Sequence, residues 1–208
     1  MTGANAPVPD STPTGNTFDK YGSGNPVVRR LMRGFETALD QMLLPAGPTS
    51  VLDVGCGEGV LSADWARRPG VAQVEGIDLD DPGLRAEWAS RERPGLSFRP
   101  GEAGALPYAD GSWDLVSAVE VLEHVSSPDV VLAEMARVAR RHLLVSVPRE
   151  PVWRVLNVAR GAYLPEFGNT PGHLHHWSAR GFRRLLERHG TIVATRAPFP
   201  WTMALVRV

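Results

Sequence analysis

The chain has little of what marks several protein classes. Its 208 residues hold one cysteine, Cys56, so no internal disulfide can form and a reducing compartment suits it. Lysine is almost missing: Lys20 is the only one, and the other basic side chains are arginine. Charge of one sign is lacking as well. A formal charge of −1 gives no global pull toward nucleic acid or an anionic membrane. No stretch approaches the length of a membrane span. Met1 to Asn16 is rich in Pro, Thr and Gly, without the apolar centre of a signal peptide. What remains is an ordinary balance of 43% apolar and 22% charged residues, in a length that suits one domain with a sizeable core. The expectation is a cytoplasmic enzyme with no membrane contact.

Residues 1–17 read as a disordered tail and residues 18–208 as a single domain. Asn25-Pro26 reads as a helix start with proline in the first turn. Val27, Val28, Leu31, Met32, Phe35, Leu39, Met42 and Leu43 then recur at helical spacing, so this helix packs one face down. The apolar run Val51-Leu52-Asp53-Val54 reads as a buried strand and ends in Gly55, Gly57 and Gly59. An amphipathic helix follows from Val60. A strand turning through glycines into a helix lets a ligand lie against bare backbone. The dinucleotide fingerprint G-x-G-x-x-G fails here, because its third glycine would fall on Val60.

Val74–Asp78 reads as a second strand ending in a carboxylate about twenty residues beyond the glycines, the spacing of a ribose-binding acid in nucleotide-binding α/β folds. Asp80 and Asp81 compete with Asp78 for that role. Leu96–Arg99, Trp113–Val119 and His142–Val147 continue the pattern, with helices at 128–138, 151–160 and 180–189. Thr191–Ala197 and Trp201–Val208 stand too close for a crossover helix and should pair as a hairpin. The predicted fold is α/β: a doubly wound, mostly parallel seven-stranded sheet with a C-terminal antiparallel hairpin. Ligands in such sheets bind beyond the carboxyl ends of the strands, where the glycine loop, Asp78, Glu102 and Glu120 all map.

Asp53 and the G-x-G-x-G run resemble the first motif of the class I S-adenosylmethionine (SAM)-dependent methyltransferases, and the resemblance extends from about Thr49 to Val208. It implies SAM as cofactor, with Gly55 and Gly57 beside its methionine part and Asp53 near its ammonium. It also implies an adenine contact from Glu102 and the Ala103 backbone, and places Glu120 at the cofactor edge. Residues 18–45 would form a lid helix with Tyr21 touching SAM or substrate, unless Tyr21 only packs beside Phe18. Residues 149–177 would shape the acceptor pocket, and the aromatics from Trp153 to Trp177 favour a planar or apolar acceptor or else a local core.

Methyl transfer is an in-line displacement, and a hydroxyl acceptor must also lose its proton. Glu120, Glu123 and His124 stand at i, i+3 and i+4, so one helical turn would put them on one face. Glu-x-x-Glu-His at this point is similar to two groups: the ubiquinone-pathway O-methyltransferases and the small-RNA 3′-terminal 2′-O-methyltransferases. In the second group these side chains and a later histidine hold a divalent cation. That histidine lies four residues before a Trp-(Ser/Thr) pair, as His173 does before Trp177-Ser178 here. The resemblance therefore implies a metal set of Glu120, Glu123, His124 and His173 for Mg²⁺ or Mn²⁺. A metal-free reading makes His124 or His173 the catalytic base, and a third makes these residues structural. The expected reaction is methyl transfer from SAM to a small-molecule acceptor, at a hydroxyl. The alternatives are an RNA-end 2′-O-methyltransferase, which the charge disfavours, and a SAM-binding regulatory protein without turnover. An NAD-dependent oxidoreductase is weakened by Val60.

Overall fold

A computed structural model describes residues 24–159, 161, 164–165, 167–170 and 172–208. The expected tail and Tyr21 lie outside the described residues. Asn25 caps helix α1 (Pro26–Ala46) by accepting from the Val27 N–H, and proline fills the first turn, where no backbone donor is needed. The buried face is Met32, Phe35, Ala38, Leu39, Met42 and Leu43, while Val27 stays exposed. The described helix lies against the sheet: Phe35 meets Trp201 edge-on at 4.7 Å between ring centroids.

Strand β1 (Ser50–Val54) is followed by the short helix α2 (Val60–Trp65), β2 (Gln73–Asp78) and α3 (Pro82–Arg91). Strands β3 (Leu96–Pro100) and β4 (Trp113–Val119) follow, joined by an irregular loop without a helix. Then come α4 (Pro128–Val138) and β5 (Ala139–Pro148), which starts three residues earlier than the sequence pattern suggests. The chain ends with α5 (Val152–Ala159), α6 (Ala179–Leu186), β6 (Thr191–Arg196) and β7 (Trp201–Arg207). Ser178 caps α6 through the Gly181 N–H, and residues 187–189 form turns instead of further helix.

The seven strands lie in the order β3-β2-β1-β4-β5-β7-β6. The first five are parallel, β7 runs antiparallel to β5, and β6 pairs antiparallel with β7. The expected hairpin is present, and its second strand inserts next to β5, leaving β6 at the edge. Alternation along the central strands divides the core. Leu52, Val116, Leu143 and Ala204 face the side that packs with Leu132 and Met135 of α4 and Phe182 of α6. Val51, Leu115, Leu144 and Met203 face the side that packs with Phe35, Leu39 and Met42 of α1 and Trp65 of α2. Each such large side chain contributes about 1.5–3 kcal/mol relative to exposure. With both faces covered, β4 is buried at its first six positions, and only its carboxyl end reaches the surface.

Candidate active site

The sheet's carboxyl edge gathers the loops after β1, β2, β3 and β4. The glycine loop is tied to β2: Gly55 and Cys56 donate to the Ile77 carbonyl at 2.8 and 3.2 Å. At Gly55, φ is +72°, and an added Cβ would fall inside the side chain of Val121, just after β4. Only glycine lets these two loops meet here. The loop rests on aromatic side chains that sequence spacing did not single out. Trp88 of α3 donates from Nε1 to the Gly57 carbonyl at 2.7 Å. Phe98 of β3 stacks on Trp88 at 5.8 Å and fills the space a Cβ would take at Gly59 and Gly76.

Asp78 stands at the end of β2 and braces the loop, accepting from Gly57 N and Leu79 N at 2.7 Å each. Burial raises its pKa, while those two N–H donors oppose the rise. Its rivals are engaged elsewhere. Asp80 pairs with Arg85, and Asp81 caps α3 by accepting from Gly83 and Leu84. The Asp78 carbonyl also takes the Gly101 N–H at 2.8 Å, bringing Gly101-Glu102-Ala103 beside the same edge. Glu102 is exposed there and Ala103 half-buried.

Asp53 is 2% exposed and belongs to the interior. One carboxylate oxygen accepts from Ser62 Oγ at 2.6 Å and the other from Ser117 Oγ at 2.9 Å, so it ties β1 to α2 and β4. Burial pushes its pKa up to about 6 against these two hydroxyl donors. Burial also raises the neighbouring Cys56 thiol far above the usual range, which makes it unreactive.

After β4 the chain turns and does not form the helical turn that the i, i+3, i+4 spacing suggested. Glu120 adopts φ of +60°, uncommon for a residue with a side chain. Its N–H reaches the Ser146 carbonyl at 3.2 Å. Its carboxylate accepts from Ser146 Oγ at 2.8 Å and from Trp201 Nε1 at 2.7 Å. Glu120 therefore reaches sideways across β5 to β7. Glu123, His124 and His173 instead converge: one ligand atom from each lies within 4.8 Å of the others. The long connection after β5 supplies His173 because its backbone is fastened to the turn. Leu174 N and His175 N donate to the Glu123 carbonyl at 2.7 and 3.2 Å. His124 Nδ1 lies 3.0 Å from the Gly172 carbonyl. A carbonyl only accepts, so Nδ1 carries the proton and Nε2 the lone pair. The two imidazoles meet edge-on at 4.8 Å, and Trp153 stacks 6.3 Å from His173. Glu123 is 1% exposed and His173 9%, whereas His124 is open to solvent. One carboxylate and two imidazoles suit a divalent first-row transition metal.

Residues 52–144 match a family model described as "Methyltransferase domain". This match spans the glycine loop, Asp78, Glu120 and the Glu123-His124 turn. Residues 52–144 thus form a methyltransferase domain, on a fold of the class I SAM-dependent type. The "Norajmaline N-methyltransferase" of Rauvolfia serpentina is 38% identical over 96 residues, 44% of this chain and 32% of that protein. The mitochondrial "Ubiquinone biosynthesis O-methyltransferase" of Saccharomyces cerevisiae is 37% identical over 108 residues, 51% of this chain and 33% of that protein. The chain thus spans about a third of the length of these curated relatives. Among solved structures, magnesium protoporphyrin IX methyltransferase from Synechocystis PCC 6803, with bound SAH, superposes with a TM-score of 0.64 at 21% identity. That match covers 90% of both chains and establishes the fold. Among the described residues, no helix of this methyltransferase domain is long and apolar enough to cross a membrane.

Proposed function

We propose that the protein transfers the methyl group of SAM to a hydroxyl of a small molecule, with a divalent cation at Glu123, His124 and His173. The observation that carries this reading is the approach of three ligand atoms to within 4.8 Å, two from the loop that follows β4 beside the glycine loop and one from the connection after β5. The N- and O-methyltransferases among the relatives leave the acceptor atom open. A carboxylate with two imidazoles favours a hydroxyl, which must lose a proton as it attacks, over a neutral amine, which need not.

The chain's own residues then divide the work. Gly55 and Gly57 let the cofactor approach bare backbone, and Asp78 fixes that backbone from the end of β2. Its carboxylate retains lone pairs for the ribose hydroxyls. Glu123 and His173 are held by burial, and His124 is oriented by the Gly172 carbonyl, so the ligand atoms are arranged in advance. A cation bound there would lower the pKa of an acceptor hydroxyl and fix its direction. Glu120 holds the turn in place through Ser146 and Trp201, leaving the metal set one residue smaller than the sequence pattern suggests.

The test is methyl transfer from SAM to catechols, vicinal diols, simple phenols, amines and RNA 3′ ends, with Mn²⁺ and again with EDTA. The expected result is transfer to adjacent hydroxyls that EDTA abolishes and Mn²⁺ restores. Transfer that survives EDTA would refute the metal and leave a histidine base. Transfer only to amines, or only to RNA ends, would refute the acceptor.

A further inference from the structure

A second feature of the same edge lies outside the match to the methyltransferase family. Helix α1 presents Arg33, Gly34, Thr37, Ala38 and Gln41 along one stripe, as residues three and four apart must. This stripe faces Arg196-Ala197-Pro198, where β6 ends, and the two sides enclose an open groove of about 630 Å³. Its lining has two guanidiniums, a hydroxyl and an amide, and no carboxylate. Neither Arg33 nor Arg196 forms an ion pair among the described residues. Arg196 is nonetheless held in place by neutral acceptors: Nε donates to Gln41 Oε1 and one terminal nitrogen to the Thr195 carbonyl, both at 2.9 Å. Two acids share the helix: Asp40, paired with Arg68, and Glu36, whose pKa is raised by burial and by Asp64 and Asp40, with Arg68 and Arg33 acting in the opposite direction. A guanidinium oriented by neutral groups keeps its full charge for a ligand, and its planar fork suits carboxylate or phosphate oxygens.

The sheet register places this groove relative to the proposed chemistry. Arg196 pairs with Met203, Met203 with Ser146, and Ser146 with Val119, the residue before Glu120. Arg196 therefore lies in the row where β4 delivers its turn, three strands away, or about 14 Å at the usual strand spacing. Between them, Phe35 meets Trp201, Trp201 lies 5.9 Å from Trp153, and Trp153 stacks toward His173.

We infer that the groove between α1 and the end of β6 binds the anionic end, carboxylate or phosphate, of an elongated acceptor whose methylated group reaches the turn after β4, three strands away. The link to methyl transfer rests on the proposed function; the anion site itself does not.

Two measurements separate these. Octanoate, octyl phosphate and octanol are titrated into the protein, followed by tryptophan fluorescence, in wild type and in Arg33→Gln, Arg196→Gln and the double variant. We expect one or both anions to bind, octanol not to, and each substitution to weaken binding about tenfold or more, the worth of one charged hydrogen bond. Which anion binds identifies the group. Binding of neither anion, or binding unchanged in the double variant with its fold intact by circular dichroism, overturns the inference. The second measurement uses catechols carrying a chain long enough to span the gap, ended in carboxylate, phosphate or methyl ester. Wild type should prefer a charged end in kcat/KM, and the double variant should lose that preference while keeping its rate on the ester. A wild type that transfers to the ester and the acids equally refutes the link between groove and acceptor. No transfer to any of them, with anion binding intact, refutes the proposed reaction and leaves the anion site standing.

Discussion

Replacing Asp53 with asparagine should remove one part of this protein's response to pH. The carboxyl is 2% exposed and accepts two serine hydroxyls, yet burial lifts its pKa from 3.8 to about 6. A carboxyl with a raised pKa favours the folded state most when protonated. Its contribution is complete below the unfolded value of 3.8 and is lost as pH rises through about 6. A rise of roughly two pH units corresponds to about 3 kcal/mol. Wild type should therefore lose about 3 kcal/mol of stability relative to Asp53→Asn between pH 4 and pH 7. Asparagine cannot titrate, and any change in its hydrogen bonds to Ser62 and Ser117 adds a constant that does not vary with pH. Urea unfolding of both proteins at half-unit steps reads the difference, and carbon NMR of the Asp53 carboxyl reads its midpoint directly. A pH-independent difference would refute the reasoning. So would a wild type that gains on the variant as pH rises, which is how a carboxylate stabilised by nearby positive charge behaves. If the SAM ammonium lies beside this group, saturating SAM should also lower the NMR midpoint.

Other expectations follow from single contacts. Gly55→Ala should weaken SAM binding in a calorimetric titration, because its Cβ falls inside Val121 and its φ of +72° strains any side chain. Gly76→Ala would bring a Cβ to 2.5 Å from Phe98 and 2.8 Å from Cys56 Sγ, so the urea midpoint should fall by the equivalent of about 1–3 kcal/mol. Glu123→Gln or His173→Ala should reduce Mn²⁺ affinity more than tenfold, about the loss expected when a metal ligand or its support is removed. Glu120→Gln should leave that affinity nearly unchanged and lower stability, since its carboxylate accepts from Ser146 and Trp201. An unchanged stability for this variant, with Mn²⁺ affinity lost, would return Glu120 to the metal set.

The local features are legible in the sequence. The apolar runs of β4 and β5, the glycines after β1, the Asn25 and Ser178 caps, and the acid ending β2 are short-range patterns of burial and backbone conformation. Such patterns leave their mark within a few residues, and the fold class followed from their order. Spacing alone misjudged the turn after β4. A helical reading put Glu120, Glu123 and His124 on one face, but Glu120 takes φ of +60° and is drawn to Ser146 and Trp201, 26 and 81 positions away. Tertiary packing brings Glu123 beside His173, because the backbone bonds from Leu174 and His175 to Glu123 close over a long connection. It also decided that Asp53 points inward, that Trp88 and Phe98 support the glycine loop, and that β7 enters between β5 and β6. Each depends on partners distant in sequence, whose proximity follows from packing both faces of one sheet.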